Sequence, residues 1–105
     1  MNDHTARLLK RQLISLDEYE QGIISIKRML YGLHAALGAI EEKFPDAYYH
    51  AFYNFDGMLD LLTYDGKLSE EEIKSDAKPY RDELRNSIQT LLAENGYKDE
   101  DIRIA

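Results

Sequence analysis

The residues of this chain whose types and spacing could carry out chemistry form two pairs. Arg28 and His34 are separated by five residues on a predicted helix, where the arginine could hold a phosphate while the histidine moves a proton. Asp46 and His50 are four apart and could share a metal ion, but two ligands do not define a metal site. The chain contains no Glu-x-x-His motif, glycine-rich phosphate loop or nucleophile elbow. We therefore predict no catalytic residues, no metal and no cofactor.

A mixed tyrosine and aspartate face on the predicted helix 46–63 is the more informative constellation. At 100° per residue, Tyr49, Tyr53, Asp56 and Asp60 lie together, opposite a broad apolar arc that includes Leu61. Tyrosine is enriched where protein interfaces are strongest, and carboxylates accept charge-assisted hydrogen bonds from lysine or arginine. This face predicts binding to a basic protein cleft. The alternative is that a neighbouring helix half-buries both tyrosines and water solvates the aspartates.

The charge distribution favours a basic partner. The chain has a formal net charge of −7, and residues 54–105 hold 13 acidic against 7 basic side chains, whereas residues 1–53 are nearly balanced. Such a surface repels nucleic acid and attracts a basic protein, although it could also serve solubility alone. Second-rank candidates for partner binding are the acids at the start of a later helix: Glu70, Glu71, Glu72 and Asp76.

Length and composition predict one soluble domain. The 105 residues are 44% apolar, enough for a packed core, and include no cysteine that could form a disulfide or a thiolate metal site. No stretch of about 18 uninterrupted apolar residues or secretory signal is present. We expect a single helical domain over residues 1–105, located in the cytoplasm, with no membrane contact.

The apolar periodicity of the first half predicts a short helix and then a long one. Residues 4–13 form the short helix, and Ser15 with Glu18 fits a capping box that starts the next helix after a turn at 14–15. Steps of three and four then give a continuous apolar seam along about 28 residues of helix. The seam residues are Leu16, Tyr19, Ile23, Ile26, Leu30, Leu33, Leu37, Ile40 and Phe44. Pro45 ends this helix.

The second half predicts two or three further helices. Asp46 caps the helix 46–63, and Ser69 with Glu72 forms a capping box before a helix that Pro79 kinks or breaks. Asn95 and Gly96 end that helix, and a polar tail follows from about residue 97. The predicted fold is all-α, a compact four- to five-helix bundle with a long central amphipathic helix.

Three segments together resemble the colicin D type of bacterial immunity proteins. They are Leu-Ile-Ser-Leu-Asp-Glu-Tyr at 13–19, the aromatic and acidic run at 51–56, and Glu-Leu-Arg at 83–85 followed by spaced aliphatic residues. The resemblance implies a small acidic four-helix bundle that blocks the active site of a tRNA-cleaving toxin, delivered as a bacteriocin or by contact-dependent inhibition. It also implies an acid at Asp56. Pro79 and the acids at 70–72 depart from the family pattern.

Two other functions remain open at this point. The same acidity suits another regulatory binding module, such as a phage inhibitor or a DNA mimic. The Arg28–His34 spacing is similar to the signature of small helical ribonucleases of the HEPN type. Our first interpretation is a non-enzymatic immunity protein whose partner is a basic toxin nuclease domain, with no direct binding to nucleic acid.

Overall fold

The computed structural model describes residues 1–97, which are all-α as predicted: four helices and no strand occur in this range. The helices are α1 (Asp3–Glu20), α2 (Ile26–Ala39), α3 (Asp46–Thr63) and α4 (Glu70–Glu94). Within this range, no helix is both long enough and apolar enough to cross a membrane.

Helix α1 is longer than the short helix predicted over 4–13. It begins at the side chain of Asn2, whose Oδ1 accepts the backbone N–H of Thr5 at 2.8 Å, and it continues through Ser15 to Glu20. The predicted turn at 14–15 and the capping box at Ser15 are therefore wrong. Leu9, Leu13 and Leu16 are all buried on one face, so burial favours an unbroken helix across this point.

The predicted long central helix is interrupted at residues 21–25. Gly22 takes a positive φ of 76°, and the N–H groups of Gly22 and Ile23 donate to the carbonyls of Tyr19 and Glu18. These two hydrogen bonds form a Schellman motif at the C-terminus of α1, which the left-handed conformation of Gly22 permits. Ser25 then caps α2, its Oγ accepting the N–H of Arg28 at 3.2 Å. Two seam residues lie in α1 and four lie in α2, while Ile23 is 61% exposed at the turn. Ile40 and Phe44 follow the end of α2 at Ala39, so the predicted helix end at Pro45 is wrong.

Helices α1 and α2 pack against one another through a close contact. Gln12 is fully buried, and its Nε2 donates to the carbonyl of Leu33 at 3.1 Å. Ser15 lies opposite Gly32, where an added Cβ would come within 2.9 Å of the serine Oγ. These pairings, with a five-residue connection, place the two helices antiparallel.

The contact pattern divides the chain into two units, so the single domain predicted from length stays a prediction. The first unit holds Met1–Lys43 and the chain from Ile88 on, and the second holds Phe44–Ser87. Helices α1 and α2 belong to the first unit. Helix α3 and most of α4 belong to the second.

Helix α3 confirms the bounds predicted for it. The aromatic residues Tyr48, Phe52 and Phe55 are buried, and Phe44 meets the ring of Tyr48 edge-on at 5.0 Å. The N-cap is Pro45, with no side-chain capping hydrogen bond, so the predicted cap at Asp46 is wrong. Leu61, placed by the sequence on the apolar arc, is 70% exposed.

Helix α4 begins at the predicted capping box. The N–H of Ser69 donates to Glu72 Oε1, and the N–H of Glu72 donates to Ser69 Oγ, both at 3.2 Å. The predicted break at Pro79 is wrong, because α4 continues unbroken to Glu94. Ala77 and Leu84 are buried on either side of the proline, and this continued burial outweighs one missing hydrogen bond.

The predicted end of α4 is confirmed. Gly96 has a φ of 85°, and the N–H of Tyr97 donates to the carbonyl of Leu92 at 2.9 Å. The polar tail predicted from about residue 97 lies, beyond Tyr97, outside the described residues.

Candidate protein-binding surface

The four candidate residues on α3 separate into two pairs. Tyr53 is 56% exposed and Asp60 is exposed, whereas Tyr49 and Asp56 are half-buried. Tyr53 and Asp60 are seven residues apart, two turns of helix, and so share one face. The structure therefore brings Tyr53 and Asp60 together on the outer side of α3.

Tyr49 supports the start of its own helix. Its hydroxyl oxygen accepts the backbone N–H of Phe44 at 3.2 Å, just before α3 begins. Its ring lies edge-on against Tyr48, with centroids 5.3 Å apart, and stacks on Phe44 at 6.4 Å. These contacts give Tyr49 a role inside the second unit, and a contact of Tyr49 with a partner stays a prediction.

Tyr53 is held by one neighbouring ring and otherwise faces outward. Its ring lies edge-on against the buried Phe52, with centroids 5.3 Å apart. An aromatic side chain fixed in this way presents a large surface with little further loss of conformational entropy on binding. Tyr53 is therefore suited to be a contact residue.

Two exposed residues next to this pair were not among the sequence candidates. Leu61 is 70% exposed and Tyr64, which caps the C-terminus of α3 in helical geometry, is 87% exposed. At 100° per residue, Tyr64 lies only about 20° from Tyr53 around the helix. That angle was available from the sequence, but the predicted element ended at residue 63. We call Tyr53, Gly57, Asp60, Leu61 and Tyr64 the outer strip.

The acids at the start of α4 have a structural role as well. Glu70, Glu71, Glu72 and Asp76 are all exposed. The carboxylate of Glu72 accepts the Ser69 N–H in the capping box, and acids in the first turn complement the helix dipole. A contact of these four residues with a partner stays a prediction.

The second unit carries most of the negative charge. Phe44–Ser87 contains ten acidic and five basic side chains, a balance of −5 out of the chain's −7. Part of it is neutralised within α4, where Lys78 Nζ lies 2.8 Å from Asp82 Oδ2. The hydrogen bond from Lys78 lowers the pKa of Asp82 below its ordinary value.

A shallow open groove of about 370 Å³ lies between α1 and α2 in the first unit. Gly32 and three alanines of α2 line one side, and Arg11 and Glu18 of α1 line the other. Because these charges have opposite signs, the groove does not share the acidic character of the second unit.

Both members of each pair that could do chemistry lie on the surface of their helix. Arg28 and His34 are both exposed on α2, and their difference of six positions places them about 120° apart around the axis. Asp46 and His50 are exposed at the start of α3. Among residues 1–97, no group of three or more potential ligands is arranged to hold a metal ion.

Comparison of the chain with protein-family models, with curated proteins and with solved structures found no match.

Proposed function

We propose that this chain is an immunity protein, a non-enzymatic inhibitor that occupies the basic active-site cleft of a bacterial toxin nuclease, one that cleaves tRNA. The observation that carries the proposal is the exposed pair of Tyr53 and Asp60 on the outer face of α3. The tyrosine is the packing anchor, and the aspartate accepts hydrogen bonds from lysine or arginine of the toxin.

The charge of the second unit supports this proposal. A cleft that binds tRNA phosphates is lined by lysine and arginine, so a surface with a balance of −5 is complementary to it. Such complementarity steers the two proteins together and raises the association rate, most strongly at low salt. An inhibitor of this kind needs rapid association and a surface complementary to the cleft, and it needs no catalytic residue.

The experiment uses the purified chain with purified tRNase domains of the colicin D type. Stoichiometric amounts of the chain are expected to stop tRNA cleavage by its cognate domain, and calorimetry is expected to give a one-to-one complex. An Asp56→Lys, Asp60→Lys double variant is expected to bind at least about tenfold more weakly, since close interfacial charge pairs couple by about 1.5 kcal/mol or more.

The matched control changes the net charge equally in the first unit. Glu41 and Glu94 are exposed there, and a Glu41→Lys, Glu94→Lys double variant is expected to keep most of the affinity. An unchanged dissociation constant for the folded Asp56→Lys, Asp60→Lys variant contradicts the proposed surface. Failure of every tRNase domain to bind contradicts the proposed function.

A further inference from the structure

Large exposed apolar side chains concentrate on one helix. Among residues 1–97 five are strongly exposed, and three of them, Tyr53, Leu61 and Tyr64, lie on α3 or its C-cap. The other two, Ile23 and Tyr31, lie in the first unit. Apolar residues grouped on a surface with a polar rim indicate a site of interaction, whereas single exposed residues need no explanation.

The three residues lie on one side of α3. With 3.6 residues per turn, the outer strip occupies an arc of about 100° around α3, and from Tyr53 to Tyr64 it is about 16 Å long. The buried aromatic residues Tyr48 and Phe55 point to the opposite side of the helix. This side of α3 thus presents three large exposed side chains and one carboxylate, that of Asp60.

Gly57 makes a notch in the middle of this strip. It is exposed, lies one turn from both Tyr53 and Leu61, and has no atom within 4 Å of the position that a Cβ would take. Glycine in a helix interior destabilises the helix relative to alanine, and α3 has no packing contact here that requires a glycine. A close approach by another molecule would require one.

We propose that the outer strip is the docking surface for a basic, amphipathic segment of a partner protein, with one apolar side chain of that segment seated over Gly57. This inference rests on the proposed function and names the part of α3 that makes the contact. Charge complementarity selects the partner: lysine or arginine beside the seated side chain would meet Asp60, whereas a second copy of this acidic unit would be repelled.

The first arm of the test uses a defined probe, an 18-residue amphipathic helical peptide of lysine and leucine. Fluorescence anisotropy of the labelled peptide measures its binding to the full chain and to Gly57→Phe, in which a ring fills the notch. Gly38→Phe is the matched control, because Gly38 is also an exposed helical glycine with no atom within 4 Å of its Cβ position. Circular dichroism checks that both variants are folded.

We expect Gly57→Phe to weaken binding of the peptide at least about tenfold, as the loss of a central interface contact does, and Gly38→Phe to leave it within about twofold. A lysine and serine peptide of equal charge is expected to bind at least about tenfold more weakly than the leucine peptide, because it lacks the apolar face. Equal effects of the two glycine variants overturn the proposal. So does failure of the leucine peptide to bind the unaltered chain.

The second arm repeats the comparison with a tRNase domain that the chain inhibits, and it separates this proposal from the proposed function. Inhibition that survives Gly57→Phe overturns the docking strip and leaves the inhibitor function standing. Binding of the peptide at the strip, with no tRNase domain bound, supports the strip and contradicts the inhibitor function.

Discussion

Ser15 of α1 and Gly32 of α2 lie so close together that a methyl group on Gly32 would come within 2.9 Å of the serine Oγ. The same contact lies one turn from the hydrogen bond between Gln12 and the carbonyl of Leu33. Close packing against Ser15 thus explains why a glycine occupies position 32 of the helix. Gly57 and Gly38 differ, because no packed atom lies within 4 Å of the position that their Cβ would take.

The first prediction follows from this contact. Gly32→Ala gains about 1 kcal/mol of helix propensity, but the methyl group must displace the Ser15 hydroxyl, so the net stabilisation is expected to be smaller. In a Ser15→Ala background the obstructing oxygen is absent, and Gly32→Ala is expected to give nearly the full gain. Urea unfolding of the four proteins in a double-mutant cycle measures this coupling. If the effects of Gly32→Ala and Ser15→Ala on the unfolding free energy are strictly additive, the contact between the two residues is contradicted.

The second prediction concerns the start of the second helix, which the structure places after Ser25 and the sequence placed after Ser15. Ser25→Ala removes the Oγ that accepts the N–H of Arg28, so it is expected to lower the free energy of unfolding by about 1 kcal/mol. Ser15→Ala lies inside α1 and removes no cap, so its effect is expected to stay within a few tenths. Urea unfolding measures the loss of unfolding free energy in both variants. A larger loss for Ser15→Ala than for Ser25→Ala would place the helix start at Ser15.

The third prediction concerns alkaline pH. Tyr97 donates its hydroxyl to Asp3 Oδ1 at 2.7 Å, and this hydrogen bond, together with the negative charge of Asp3, raises the pKa of Tyr97 above its ordinary 10.0. A raised folded-state pKa stabilises the fold below the ordinary value, and the contribution is lost as pH rises through the folded-state pKa. The difference in unfolding free energy between the unaltered chain and Tyr97→Phe should therefore shrink above pH 10.

Tyr31→Phe is the control for this experiment, because Tyr31 is a 74% exposed tyrosine on α2. Unfolding of all three proteins is followed at fixed ionic strength from neutral to alkaline pH. A difference between the unaltered chain and Tyr97→Phe that stays constant across this range would show that the Asp3 contact does not stabilise the fold.

The fourth prediction compares three glycines by their backbone conformation. Gly57→Ala and Gly38→Ala are each expected to raise the free energy of unfolding by up to about 1 kcal/mol, because both lie in helices with open space beside them. Gly22→Ala is expected to lower it by about 1 kcal/mol or more, since Gly22 has a φ of 76°. Thermal or urea unfolding gives the signs, and destabilisation by Gly57→Ala would reveal a packing role for that glycine.

The fifth prediction tests the ribonuclease alternative. Arg28 and His34 are about 120° apart around α2, so they do not converge on one phosphate from a single helix. We expect labelled RNA to be cleaved no faster by the unaltered chain than by His34→Ala. Cleavage by the unaltered chain that His34→Ala abolishes would contradict the inhibitor function and favour the enzyme.

The local signals in the sequence predicted several helix ends in the second half of the chain. The bounds of α3, the capping box of Ser69 and Glu72, and the glycine end at Gly96 were predicted correctly. The capping box and the glycine end depend on residues within one turn of the helix end, where capping chemistry and left-handed glycine decide the outcome. Helix α3, in contrast, begins after Pro45 with no side-chain cap. Pro79 was predicted to kink or break the helix, and the break did not occur, because the burial on both sides of the proline is not a local property.

For the candidate surface, the sequence determined that α3 has an aromatic and acidic face, since helical periodicity alone sorts Tyr53 and Asp60 to one side. Only the tertiary structure decided that Tyr49 turns inward to Phe44 and that Leu61 and Tyr64 are exposed. Exposure depends on which neighbouring elements cover a face, and a single helix's pattern does not contain that information.

The sequence by itself determined the all-α class, the acidic second half and the spacing of the apolar seam residues. The tertiary structure decided that the seam belongs to two antiparallel helices joined at Gly22 rather than to one. The physical reason is that periodicity reports which residues share a helix face, and such a face can be covered both by a helix that continues and by one that turns back on itself at a left-handed glycine.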